Sequence, residues 1–237
     1  MPNTILKLAK RYAPPSLKRF IRTLIDPSQN GEVTVLKELV SRFVCERVLI
    51  DVGANDGVTM SNSLPFVKNG WRAILLEPAP KVYLRLKQHH ASRNNVTCLQ
   101  LACLDRTDEA ELYYGSDGDE GFMSTLSRVD NEWFDQHRSS TSVRVKTDTL
   151  TNVMITHAIP SCPGLLLVDC EGMDYETLLG LDFSRFRPTI IVTEEYERKG
   201  HQGLISHAGF AQRPDLSRQG TRPSGGVDRT RSTQRPM

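Results

Sequence analysis

A short segment rich in glycine and acidic residues follows the first strongly apolar run of the chain. After Val48-Leu49-Ile50 the sequence is Asp51-Val52-Gly53-Ala54-Asn55-Asp56-Gly57, with the pattern D-x-G-x-x-x-G. Parallel sheets bind ligands at the carboxyl ends of their strands, so this loop predicts a binding site. We expect Gly53 to let the backbone turn tightly against a ligand and Gly57 to open the next helix without a side chain in the way.

The charge and the glycine spacing of this loop narrow the choice of ligand. The dinucleotide pattern G-x-G-x-x-G is absent because position 55 is asparagine, and no lysine follows Gly57 as a phosphate-binding loop requires. Asp51 and Asp56 would repel a phosphate, whereas they suit a ligand with amino and sulfonium charges. S-adenosylmethionine fits that description, and Asp51, Gly53, Asn55 and Gly57 become its candidate binding residues. A nicotinamide-dependent oxidoreductase is disfavoured on the same grounds.

An acidic residue at the end of the second apolar run supports the same ligand. Glu77 follows Ile74-Leu75-Leu76, 20 residues after Gly57. A carboxylate in this position can accept hydrogen bonds from both hydroxyls of an adenosine ribose. We therefore add Glu77 to the candidate cofactor-binding residues.

A second acidic pair stands at the end of a later apolar run, in Asp169-Cys170-Glu171-Gly172. As candidate catalytic residues, Asp169 and Glu171 would take the proton of a substrate hydroxyl or hold a cation that does so. Residues two apart in an extended strand share a face, so we expect the two carboxylates to point together, which would raise one pKa. The plainer alternative is that Glu171 begins a helix over 172–180 and interacts with its dipole.

Five apolar runs must position these residues, at 48–50, 73–76, 96–99, 165–168 and 190–192. They are continuous rather than alternating, which is typical of strands buried on both faces of a parallel sheet. The first two runs begin 25 residues apart, as do the last two, which leaves room for one helix in each crossover. The sequence thus predicts an α/β fold with a doubly wound, mostly parallel sheet.

The chain divides into three stretches. Residues 1–30 form a basic N-terminal arm broken by Pro14-Pro15, which is either a solvated arm or a surface for peripheral contact with an anionic membrane. Residues 31–210 hold the α/β domain, in which short strands at 111–114 and 143–146 frame an insertion that would form a substrate wall. Residues 211–237 contain six arginines and three prolines among few apolar residues, so we expect a disordered arginine-rich tail.

Composition excludes several classes of protein. The 30 basic and 28 acidic residues give a net charge of +2, too balanced for binding nucleic acid by bulk electrostatics, and nothing indicates sequence-specific recognition of it. Five cysteines without a C-x-x-C pair indicate a reducing compartment. No stretch approaches the roughly 18–20 apolar residues of a membrane-spanning helix. We expect a cytoplasmic protein that acts on a small molecule.

Taken together, the segments VLIDVGANDG, ILLEP and LLLVDCEGMDYETLLGLDFSRFRPTIIVTEE resemble the FkbM family of S-adenosylmethionine-dependent methyltransferases. The resemblance spans about residues 47–210 and keeps the order and spacing of the family's elements. It implies the class I methyltransferase (Rossmann-like) fold and methyl transfer to a hydroxyl oxygen. Members of the family often act on sugar or polyketide hydroxyls in bacterial polysaccharide and secondary-metabolite pathways.

The resemblance also implies roles for individual residues. The cofactor loop, the ribose acid and the D-x-E-G element of the family are matched by Asp51, Gly53, Gly57, Glu77, Asp169 and Glu171. Asp105, after the third strand, matches an adenine-side contact. Ser124 and Thr125 lie in a segment of the insertion that the resemblance places near substrate.

The carboxyl-terminal part departs from the pattern of the family. Class I methyltransferases end in an antiparallel pair of strands, whereas this chain has its arginine-rich tail there. We expect those terminal strands to be missing and the fifth strand to be an unprotected edge. The predicted function is O-methylation of a saccharide or related metabolite. The alternative is a truncated, catalytically inactive methyltransferase-like binding module.

Overall fold

The computed structural model describes residues 32–43, 46–115, 125–126, 138–193 and 211–212. The predicted N-terminal arm and nearly all of the predicted tail lie outside these ranges. In chain order the elements are α1 (Glu32–Arg42), β1 (Glu46–Val52), α2 (Leu64–Lys68), β2 (Arg72–Leu76), α3 (Pro80–His89), β3 (Val96–Leu99), β4 (Ala102–Cys103), β5 (Asp108–Gly115), β6 (Thr125–Leu126), β7 (Arg138–Asp148), α4 (Leu150–Thr156), β8 (Pro163–Val168), α5 (Asp174–Leu179), β9 (Ile190–Thr193) and β10 (Ala211–Gln212).

The main sheet has six strands in the order β10-β9-β8-β1-β2-β3. The five predicted runs form its five parallel strands, with β1 pairing with β2 on one side and with β8 on the other. The chain therefore moves outward through β2 and β3, returns to β8 beside β1, and moves outward again to β9. This reversal of direction is the doubly wound arrangement that the sequence predicts.

Helices cover both faces of this sheet, which explains why its strands are apolar without alternation. In β1, Leu49 points to the face packed by Leu36 of α1 and Phe66 of α2. Its neighbour Ile50 points to the opposite face, against Met154 of α4. Both β1 residues are fully buried. The sheet is the middle of three layers, with its central strands buried and the outer strand β3 partly exposed along its length.

A smaller sheet, β4-β7-β5-β6, stands beside the carboxyl ends of the main strands. Strands β5 and β7 pair antiparallel in the region where the sequence predicts an insertion, with Glu111 opposite Arg144. Its inner side chains, among them Leu112 and Leu126, pack with Ala79 and Val82 around α3. The second sheet therefore forms a wall at the edge where ligands bind.

The far edge of the main sheet corrects one expectation from the sequence. Strand β10 pairs antiparallel with β9, with Ala211 opposite Ile191 and Gln212 opposite Ile190. The prediction that nothing antiparallel follows residue 210 is wrong for this pair, because edge pairing needs only backbone donors and acceptors and no run of apolar side chains. Among the described residues, no helix has the length and apolar character needed to cross a membrane.

Candidate active site

A cavity of about 280 Å³ lies where the main sheet changes direction, beyond the carboxyl ends of β1 and β8. The loops after these two strands leave in opposite directions and open a crevice between them, the place where open α/β sheets bind ligands. Its volume is close to the lower end of the range for small-molecule sites, roughly 300–1,000 Å³. Residues from β1, β8 and β9, from the loops after β2 and β3, and from the smaller sheet line it.

Gly53 makes the first turn of this crevice. Its φ of +83° is in the left-handed region, and its N–H donates to the carbonyl of Leu76 at 3.0 Å. A Cβ atom at this position would lie 2.9 Å from the carbonyl carbon of Asp169 and closer still to its oxygen. Gly53 also lines the cavity. The absence of a side chain therefore allows this backbone to contact the loop at Asp169 and to be reached closely by a ligand.

Gly57 has a different role from the one that the sequence suggests. Helix α2 begins only at Leu64, so Gly57 does not open a helix, and it does not line the cavity. A Cβ atom there would lie 2.5 Å from Cδ1 of Leu86 and 2.6 Å from Nε2 of His90, whose ring donates to the Gly57 carbonyl at 3.3 Å. Gly57 lets the loop pack closely on α3.

Glu77 is fixed by the loop that surrounds it. Its Oε2 accepts the N–H of Asn55 at 3.1 Å, and its Oε1 accepts the N–H of Ala79 at 2.9 Å. The side chain is only 6% exposed and faces the cavity. Each carboxylate oxygen has a second lone pair, so both can accept one more hydrogen bond from a ligand. Asn55 also lines the cavity, with a φ of +50°.

Two buried carboxylates stand together at this end of the cavity. Burial raises the pKa of Asp51 to about 6, against a hydrogen bond from Ser63 that lowers it. Burial also raises the pKa of Glu77 to about 7, and the nearby charge of Asp51 adds to this increase. A cation or a donor-rich ligand would stabilise the ionised pair, whereas an anion would be repelled.

Asp169 and Glu171 both line the cavity, although not through the geometry expected of a strand. Strand β8 ends at Val168, and Glu171 has a φ of +50° followed by Gly172 at +92°. The chain therefore turns through a left-handed conformation at Glu171, directly after Asp169 and Cys170, and does not continue as an extended strand. The alternative for Glu171 is also wrong, because α5 begins three residues later, at Asp174.

Asp174 holds this turn in place and was missed by sequence reasoning. It is 5% exposed, and its Oδ2 accepts the N–H of Cys170 at 3.3 Å. Its Oδ1 accepts the hydroxyl of Thr193, at the end of β9, at 3.1 Å. An acid in the first turn of a helix is a common sign of favourable dipole interactions. Nothing in the sequence shows that this one joins two strand ends.

Two other acidic residues of the sequence analysis, Asp105 and Asp56, lie outside the cavity. Asp105 is exposed and does not line it. The carboxylate of Asp56 is used within the loop, where it accepts the N–H groups of Val58 and Thr59. Thr125 is described only as part of β6, and Ser124 lies outside the described residues. Within the ranges given above, no three His, Cys, Asp or Glu side chains are grouped to hold a metal ion.

Backbone strain is concentrated around the cavity. Four non-glycine residues of the described chain have positive φ, and three of them line the cavity: Asn55, Met60 and Glu171. Such conformations cost free energy and persist where the surrounding structure enforces them, which is common at binding and catalytic sites. Met60 and its neighbour Asn62 are lining residues that the sequence analysis did not identify. The only local signal was the polar group Ser61-Asn62-Ser63 before the apolar Leu64.

The geometry of this crevice agrees with a comparison to protein families. The family model of the methyltransferase FkbM domain matches residues 51–219, well over half of the chain. The chain belongs to the FkbM methyltransferase family. The match begins at Asp51, contains the glycine loop, Glu77 and the turn at 169–172, and continues past residue 210. The predicted family and the predicted class I methyltransferase fold are confirmed.

Among solved structures, the crystal structure of methyltransferase FkbM from Methylobacillus flagellatus KT is similar to this FkbM domain. The TM-score is 0.42 and the sequence identity is 15%, over 80% of this chain and 46% of that chain. The similarity thus spans less than half the length of that protein. No match was found among curated proteins.

Proposed function

We propose that this FkbM domain binds S-adenosylmethionine in the cavity and transfers its methyl group to a hydroxyl of a saccharide or related small metabolite. The observation that carries the proposal is the bare backbone at Gly53 beside two buried carboxylates, Asp51 and Glu77, at the point where the sheet changes direction. Membership of the FkbM methyltransferase family supports the choice of methyl transfer.

The residues present fit this cofactor. A sulfonium and an ammonium group are positive charges, and they would offset the mutual repulsion of Asp51 and Glu77. The two oxygens of Glu77 each have a lone pair left for a hydroxyl of the ribose. Gly53 leaves room for the ligand to lie against the backbone. We assign Asp51, Gly53, Asn55 and Glu77 to cofactor binding, with Gly57 shaping the loop from behind.

The chain's own contribution to catalysis is to align the acceptor and to remove its proton. S-adenosylmethionine supplies a methyl carbon activated by a sulfonium leaving group. Alignment of two reactants in one site is worth about 7–11 kcal/mol of the barrier. We assign Asp169 or Glu171 as the carboxylate that accepts the hydroxyl proton, which adds a factor of about 10² to 10⁴.

The acceptor would enter between the turn at 169–172 and the smaller sheet. Leu112 and Leu126 line that side of the cavity and give it an apolar surface opposite the carboxylates. A sugar ring offers an apolar face and several hydroxyl edges, which suits such a surface. We keep Ser124 and Thr125 as proposed substrate contacts because their segment adjoins Leu126.

The cellular setting is part of the proposal. Among the described residues, the cysteines Cys98, Cys103 and Cys170 are free thiols. Free thiols are typical of proteins in reducing compartments, which favours the cytoplasm. The basic arm over residues 1–30 is kept as a proposed site of peripheral membrane contact.

Glu171→Gln tests the chemistry separately from binding. We expect the variant to bind S-adenosylhomocysteine as the wild type does and to lose about 10²- to 10⁴-fold in turnover on a panel of sugar acceptors, because an amide cannot take the proton. Glu176→Gln is the matched control, since Glu176 lies on α5 and does not line the cavity. Full activity of Glu171→Gln, together with full activity of Asp169→Asn, would remove the acid pair from the mechanism.

A further inference from the structure

One buried oxygen in the cavity has no hydrogen-bond partner. Within the described part of the chain, three buried side-chain nitrogen or oxygen atoms lack one: Asn62 Oδ1, His90 Nδ1 and Arg93 Nε. Of these three residues, Asn62 alone lines the cavity. A buried polar atom without a partner destabilises the protein unless something else supplies the hydrogen bond.

The neighbours of Asn62 are already engaged. Ser61 Oγ lies 3.1 Å from Ser63 Oγ and accepts the N–H of Leu64, also at 3.1 Å, which secures the start of α2. Ser63 is fully buried and hydrogen-bonds to Asp51. These contacts fix the segment on both sides of Asn62 and hold it next to the buried carboxylates. The carboxamide is thus held in position by groups that do not satisfy its oxygen.

The cavity around Asn62 is rich in hydrogen-bond acceptors. The carboxylates of Asp51, Glu77, Asp169 and Glu171 all line it. Ionised carboxylates and a carboxamide oxygen accept hydrogen bonds and do not donate them. The group that satisfies Asn62 Oδ1 must be a donor, none of the described residues donates to it, and a ligand in the cavity can supply one.

We infer that Asn62 is a ligand-binding residue, whose Oδ1 accepts a hydrogen bond from an N–H or O–H group of the bound cofactor. This inference rests on the proposed function, because it takes S-adenosylmethionine as the ligand of the cavity. Asn62 provides an acceptor without adding a further negative charge beside Asp51 and Glu77. It belongs to the segment before α2, outside the acidic and glycine positions that the sequence marks.

Asn62→Leu separates a binding role from a structural one. Leucine has a similar size but no oxygen, so we expect the ligand-free variant to melt at the wild-type temperature or above it. We expect its affinity for S-adenosylhomocysteine, measured by calorimetry, to fall about tenfold or more. Asn62→Asp keeps an acceptor oxygen but adds a negative charge beside Asp51 and Glu77, so it should retain more affinity than Asn62→Leu without reaching the wild-type value. Asn69→Leu, at an exposed position after α2, is the control that should change neither quantity.

The outcomes distinguish this inference from the proposed function. Binding by the wild type with equal binding by Asn62→Leu would overturn the inference and leave the proposed function standing. A lower melting temperature of Asn62→Leu with unchanged affinity would also overturn it, because Asn62 would then be structural. Absence of binding by the folded wild type would overturn the proposed function itself.

A truncated ligand locates the contact. 5′-Methylthioadenosine has the nucleoside and the sulfur but lacks the amino-acid part. A loss of affinity for S-adenosylhomocysteine alone would place the donor of Asn62 in the amino-acid part. An equal loss for both ligands would place it in the nucleoside, and either result supports the inference.

Discussion

Replacing Gly53 by alanine tests whether the two loops of the crevice touch as tightly as the structure indicates. The added Cβ atom would lie 2.9 Å from the carbonyl carbon of Asp169, nearer still to its oxygen, at a φ of +83°. A left-handed conformation costs a residue with a side chain about 1–2 kcal/mol. Forcing extra volume into a packed contact costs about 1–3 kcal/mol more. We therefore expect Gly53→Ala to lower the free energy of unfolding by about 2–5 kcal/mol.

Gly70→Ala is the matched control for this experiment. Gly70 has nearly the same φ, +79°, but a Cβ atom there would meet nothing within 4 Å. It should lose only the conformational part, about 1–2 kcal/mol. The difference between the two variants, about 1–3 kcal/mol, measures the contact between Gly53 and Asp169.

Urea unfolding of the wild type and both variants gives the two free energies from linear extrapolation. Calorimetry with S-adenosylhomocysteine then reports the cavity, where we expect Gly53→Ala to lose binding and Gly70→Ala to keep it. Equal destabilisation of the two variants would refute the close contact. Unchanged binding by a folded Gly53→Ala would separate this turn from the ligand site.

Three further predictions concern charge, positioning and stability. Because the pKa of Glu77 is about 7 in the folded chain and 4.5 ordinarily, the unfolded chain is ionised between these values while the folded chain keeps its proton. The unfolding free energy of the ligand-free protein should therefore rise as pH falls from about 7 towards 4.5, and Glu77→Gln should weaken this pH dependence. A wild-type unfolding free energy that falls over this range would contradict the prediction. In urea unfolding, Asp174→Asn should lower the unfolding free energy by about 1–3 kcal/mol, and in kinetic assays it should lower turnover more than cofactor affinity, because it loosens the turn that holds Glu171. Adding Thr193→Val should lower the unfolding free energy little further, whereas full additivity of the two substitutions would refute the hydrogen bond between them. Thr149→Ala should lower the unfolding free energy in urea by about 1 kcal/mol, because Thr149 caps α4 by accepting the N–H of Asn152, and it should leave the affinity for S-adenosylhomocysteine unchanged. A loss of affinity would show that the cap also affects the ligand site.

The main sheet was predictable because strands that are buried on both faces have continuous apolar runs in the sequence. Leu49 and Ile50 point to opposite cores, so both must be apolar, and the same holds for the strands beside them. The spacing of the runs then leaves room for one helix between consecutive strands, which indicates parallel pairing. Gly53 and Glu77 were identifiable for a similar reason, since their places at the ends of two such strands follow once the strands are known.

The remaining features depend on contacts that sequence order does not encode. Gly57 is a glycine because Leu86 of α3 and His90, just after α3, approach it from 29 or more residues away, and not because a helix begins there. Glu171 faces the cavity through a left-handed turn, which no periodic pattern indicates. Asn62 and Asp174 owe their positions to neighbours from other elements, so only the folded chain shows what they do.

Binding of S-adenosylhomocysteine to the full-length wild-type chain, measured by calorimetry, tests the central claim most directly because it requires no knowledge of the acceptor. A folded protein, shown by circular dichroism, should bind one ligand per chain, and the binding should be abolished in Gly53→Ala and retained in Gly70→Ala. Absence of binding by the folded wild type would contradict the account and favour a methyltransferase-like module without a working cofactor site.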